Sequence, residues 1–156
     1  MYDWYFDDMT PGMRFESLGK TLSEAEIIDF AFQYDPQPLH IDAACAEAGP
    51  YGGIIASGIQ TIGTALRMMV QARVFAPETV LGSPGADELR WVQPVRPGDT
   101  IRATGEILEV RASQSRPERG IVRYRMDVLN QRDEVVMTMI STTFVRRQPA
   151  AGGDAA

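Results

Sequence analysis

Histidine and cysteine each occur once in this 156-residue chain, as His40 and Cys45. A single cysteine excludes an internal disulfide framework and fits a reducing, cytoplasmic setting. One histidine beside one cysteine also excludes a zinc site of the Cys/His type within one chain. Positive charge is scarce: 15 Lys and Arg against 21 Asp and Glu leave a formal net charge of −6. That balance argues against a broad electrostatic grip on nucleic acid or an anionic membrane. Long apolar runs are missing, since Arg67 and Arg73 interrupt the longest candidate before it reaches the roughly 18–20 residues a membrane helix needs. The acidic, aromatic N-terminus MYDWYFDDM lacks a positive segment followed by an apolar one, and no secretory signal is read there. Internal repeats and linker-like breaks are absent too.

What is present suits a globular domain. Hydrophobic residues make up 44% of the chain and charged residues 23%, enough at this length to bury a core in one domain. The domain is expected over 1–147, followed by a small-residue, flexible tail over 148–156.

Met9 to Gly12 reads as a turn and Arg14 to Leu18 as a short strand. Ser23 and Glu26 have the spacing of a reciprocal capping box, with Leu22 and Ile27 placed as its hydrophobic staple. The helix they open should end near Tyr34, because Asp35 precedes Pro36 and is pushed out of helical conformation. A short helix over 43–48 is capped by Asp42 and ended by Gly49 and Pro50. Ser57 and Gln60 form a second capping-box pattern, opening a long helix that should run to about Val74. Its Gly58, Gly63 and Ala65 suggest a sheet packed close to its backbone, offsetting the roughly 1 kcal/mol that glycine costs inside a helix. Beyond residue 86 the period becomes alternating, with strands expected over 88–92, 100–110, 120–130 and 134–146. The fold class is therefore α+β, an antiparallel sheet with its helices on one face.

The segment Asp35-Pro-Gln-Pro-Leu-His40 concentrates chemistry. Two prolines stiffen a loop that holds one carboxylate and one imidazole at a set separation, which acid/base work requires. Asp-Pro and Gln-Pro are also ordinary turn dipeptides, and a lone histidine at a helix start is often structural. On the residues alone both readings stand. Ser57 is better explained as a cap than as a nucleophile, since it has no base of its own. Asp42 reads as a cap, Cys45 as packing, and Met68 with Met69 as core or pocket lining. Gly52 and Gly53 lack the spacing and the lysine of a phosphate loop.

Asp35-Pro-Gln-Pro-Leu-His40, Gly53-Ile-Ile-Ala-Ser-Gly58 and Val92-Gln-Pro-Val-Arg-Pro-Gly-Asp-Thr100 together resemble the MaoC-like dehydratases, in order and spacing, over about residues 10–146. This family includes (R)-specific enoyl-CoA hydratases. The resemblance implies a hotdog fold, a curled antiparallel sheet wrapped around a long central helix. It also implies reversible addition of water to a trans-2-enoyl thioester, as in fatty acid metabolism. Asp35 and His40 would be the catalytic pair, with Gly58, Ser57 and Gln37 as oxyanion and substrate-binding residues. Gln37 stands where the family signature has asparagine, one methylene longer but with the same donor and acceptor. No metal and no cofactor are implied beyond the coenzyme A or acyl-carrier protein of the substrate, and a homodimer is expected. The rival readings are a hotdog thioesterase and a non-catalytic acyl-CoA-binding subunit. The long helix carries no Asp or Glu, where such thioesterases usually place a carboxylate, and the acid/base pair is intact.

Overall fold

Ser23 opens the first long helix by the expected reciprocal cap. Its hydroxyl accepts from the Glu26 N–H, and the Glu26 carboxylate accepts from the Ser23 N–H. The computed structural model describes residues 1–149. Two short strands, β1 (Arg14–Glu16) and β2 (Lys20–Thr21), precede four helices. These are α1 (Glu24–Tyr34), α2 (Pro38–Ile41), α3 (Ala43–Ala48) and α4 (Gly58–Gln71). Four long strands follow: β3 (Val80–Trp91), β4 (Thr100–Ala112), β5 (Arg119–Leu129) and β6 (Val135–Arg146).

The strands pair antiparallel in the order β1-β4-β5-β6-β3, with β2 also on β4. Alternation sorts their side chains by face. Val122, Tyr124, Met126 and Val128 of β5 point inward, with Ile101, Ala103 and Ile107 of β4 and Met137, Met139 and Val145 of β6. Ala65, Met68 and Met69 of α4 join them in one core. The sheet thus curls over a single long helix.

Four local expectations are corrected. The strand expected over 88–92 is the end of β3, which begins at Val80. Gly82 and Gly85 take positive φ, the pairing to β6 shifts at both, and nearly every β3 side chain is exposed, so no alternation of polarity marks it. Helix α4 stops at Gln71 rather than Val74, because Arg73 turns to a left-handed φ of 52° and the Ala72 N–H closes the last turn on Met68. Close packing at the small residues of α4 holds for the fully buried Ala65 but not for Gly63, which is exposed with open space where a Cβ would stand. Cys45 is exposed instead of packed. Arg147 donates to Asp7, and Gln148, the first residue of the expected tail over 148–156, donates to Asp7 and Asp8; residues 150–156 of that tail lie outside the described residues. Among those residues no helix is long and apolar enough to cross a membrane.

Candidate active site

Asp35 sits where α1 ends, held out of helical geometry by Pro36. Gln37 is extended, and Pro38 then starts α2 at its first position, where proline's fixed φ favours a helix. The segment expected as a stiff loop is thus a break followed by one helical turn. That turn carries His40 inward, leaving it 5% exposed. Its Nδ1 lies 2.7 Å from the Ile55 carbonyl. A carbonyl only accepts, so Nδ1 carries the proton and Nε2 is turned toward Asp35, 3.4 Å from Oδ2.

Asp35 is gripped on both oxygens. The Gln37 amide donates to Oδ1 at 2.7 Å, and the Ser57 hydroxyl donates to Oδ2 at 2.7 Å. These two bonds, Gln37 first, hold the Asp35 carboxyl below its ordinary range, helped by the His40 imidazole and opposed by partial burial. Ser57 caps α4 as expected, but through the Ile59 N–H. The reciprocal box with Gln60 does not form, because the Gln60 side chain is buried and donates to the Glu26 carbonyl of α1.

Between α3 and α4 the buried stretch from Ile54 to Ser57 binds both flanks of the site. The Ile55 N–H takes the Leu39 carbonyl, and the Ala56 N–H takes the Val95 carbonyl. Gly58 then begins α4. Its N–H has no acceptor among the described residues, at the end of the helix where partial positive charge gathers. A Cβ on Gly58 would overlap the Trp91 indole, so only glycine lets that ring lie against the helix start.

Asp35, Gln37, His40, Ser57 and Gly58 all line one cavity of about 480 Å³. Its volume is within the roughly 300–1,000 Å³ of ordinary small-molecule sites. A carboxylate and an imidazole nitrogen that face each other beside an unengaged N–H can hold a water and polarise a carbonyl. Two features escaped the sequence. The Ile55 carbonyl that orients His40 is backbone and leaves no residue-type signal. Trp91 stands one position before the segment that carried the third motif.

The MaoC like domain family matches residues 8–129. A MaoC-like dehydratase from Rhodospirillum rubrum, known as a crystal structure, is 35% identical and superposes with a TM-score of 0.84 over 94% of this chain and 99% of that one. YdeM of Bacillus subtilis strain 168, an uncharacterized protein, is 28% identical over 141 residues, 90% of this chain and 98% of its own. The 3-hydroxyacyl-thioester dehydratase Z of Mycobacterium tuberculosis H37Rv is 31% identical over 91 residues, 58% of this chain and 60% of that protein. With the sheet curled on α4 and the match reaching across both halves of the site, the chain belongs to the MaoC-like domain family and has its hotdog fold.

Proposed function

We propose that this protein is a hydratase/dehydratase that adds water reversibly to a trans-2-enoyl thioester of coenzyme A or acyl-carrier protein, giving the (R)-3-hydroxyacyl thioester. One observation carries the reading: Asp35 Oδ2 and His40 Nε2 face each other at 3.4 Å in the cavity that also holds the Gly58 N–H. A water bonded to both, beside them in the cavity, loses a proton to the Asp35 carboxylate as its oxygen attacks C3. The C2–C3 π electrons move to C2 and the thioester oxygen, whose developing charge meets the Gly58 N–H and the positive end of α4. His40, in its imidazolium form, delivers the proton to C2. Transfer of the proton from Asp35 to Nε2 restores the pair. The chemistry asks for no metal or redox cofactor.

The protein would act in the cytoplasm as a homodimer. Support for the dimer comes from β3, an edge strand with Val80, Leu81 and Trp91 exposed, beside a face of α4 exposing Ile59 and Val70.

Loss of the enoyl-thioester absorbance of crotonyl-CoA tests the reading. Asp35→Asn and His40→Ala should each lower the rate by about 10²–10⁴-fold. Release of free thiol without hydration would replace the reading with a thioesterase.

A further inference from the structure

Where β5 begins and β6 ends, two arginines stand directly opposite each other, Arg119 on β5 and Arg146 on β6. Partners so placed share one face with Cβ atoms about 5 Å apart, and like charges there destabilise a sheet. Arg116, in the turn between β4 and β5, joins them on the wall of a cavity of about 470 Å³. Neighbouring arginines are neutralised: Arg111 by Glu109 at 3.5 Å, Arg123 by Asp87 at 3.6 Å and Arg147 by Asp7 at 2.6 Å. Among the described residues Arg116, Arg119 and Arg146 form no ion pair, not even with Glu118 on the same wall, although acidic side chains outnumber basic ones in the chain. Arg119 is held in place all the same. Its guanidinium lies over the Phe144 ring, 4.5 Å from the centroid, and its Nε is buried with no acceptor among the described residues. An unpaired buried donor marks a place where an ion or water completes the bonding.

Charge selects the ligand. Three cations against the Glu118 carboxylate leave two positive charges unmatched, and a phosphomonoester carries about −1.5 to −2 at neutral pH. Guanidinium forks also match phosphate oxygens in pairs. The cavity stands apart from the candidate active site of its own chain. Leu81 on its rim and Trp91 in the first cavity lie near opposite ends of β3, roughly 30 Å of strand. None of the three arginines is on β3, the edge assigned to a second subunit.

We propose that Arg116, Arg119 and Arg146 form a binding site for a phosphate dianion, either free or as the phosphoester of a larger ligand. The site goes beyond the hydratase reading and does not depend on it. Calorimetric titration at constant ionic strength, with inorganic phosphate and with coenzyme A, tests it. Arg116→Gln, Arg119→Gln and Arg146→Gln should each weaken at least one of these ligands by about tenfold or more. Weakening confined to inorganic phosphate assigns the site to the free anion. Weakening of coenzyme A, with inorganic phosphate competing against it, assigns the site to a phosphoester. Arg146→Gln removes the like-charge pair, so in phosphate-free buffer it should melt no lower than wild type, and its lost affinity then reads the site rather than the fold. Unchanged affinity for both ligands in all three variants overturns the proposal, as does a wild type that binds neither at millimolar concentration. Loss of assembly in the variants with both affinities unchanged would give the arginines to a protein contact instead, which overturns it too.

Discussion

Asp35 shows how two neutral side chains set the character of a carboxylate. Gln37 and Ser57 each donate a short hydrogen bond to it, and both bonds favour the charged form. As the proposed base, Asp35 has to be ionised, and its lowered pKa keeps it so well into the acid range. Removing the larger contributor, as in Gln37→Ala, should raise that pKa toward the ordinary carboxylate value. The acid limb of the pH profile of kcat/KM then moves to higher pH. Gln37→Asn, one methylene short of the same contact, should fall between wild type and alanine. A limb that stays in place would give the Gln37 amide no part in the acidity of Asp35. The bond donated by Ser57 acts in the same direction, so Ser57→Ala should shift the limb the same way while also weakening the start of α4. His40 is held by the Ile55 carbonyl, and no side-chain substitution at Ile55 removes that bond.

At the scale of elements, the caps carry the predictions. Glu26 closes the box at the start of α1, and its carboxyl is lowered to about 2, by Lys20 first and then by the Ser23 N–H and hydroxyl. A carboxyl depressed in the folded state stabilises it above the unfolded pKa and loses that contribution as pH falls through the folded value. The stability difference between wild type and Glu26→Gln should therefore be largest near neutral pH. It should close between the ordinary value of 4.5 and about 2, as followed by denaturant midpoints. Ser23→Ala should cost about 1 kcal/mol, the usual worth of such a cap.

Helix α4 makes the opposite point about glycine. Alanine at Gly58 has the better helix propensity, by roughly 1 kcal/mol, but its Cβ would collide with the Trp91 indole. Overpacking of this kind costs about 1–3 kcal/mol, so Gly58→Ala should come out neutral or destabilised, with Trp91 displaced from the cavity wall. A change in tryptophan fluorescence together with lost hydration reports that outcome. A more stable variant with unaltered fluorescence would show that the ring has room to move without consequence.

For the whole molecule, the open edge is the dominant feature. Among the described residues nothing pairs with the outer side of β3, which ends the sheet, and the nearby face of α4 exposes Ile59, Leu66 and Val70. Edges and apolar patches of this kind are commonly covered by a second subunit. Sedimentation equilibrium should give twice the chain mass of 17.2 kDa, and a persistent monomer would remove the dimer.

Much of the architecture could be read along the chain because the forces that set it act over a few residues. The Ser23–Glu26 box, the Asp42 cap and the alternation of β4, β5 and β6 all leave their mark within one or two turns or pleats. Asp35 and His40 stood out for the same reason, two prolines isolating two titratable groups. Tertiary structure alone decided the rest. Ile55 orients His40 across 15 residues, Ser57 grips Asp35 across 22, and Gln60 leaves its own helix for Glu26 across 34. None of these contacts leaves a periodic signal, since each depends on where two distant segments meet. The extent of β3 was hidden by its place at the sheet's edge. With almost nothing to bury, its side chains need not alternate, and only pairing to β6 makes Val80 to Trp91 a strand.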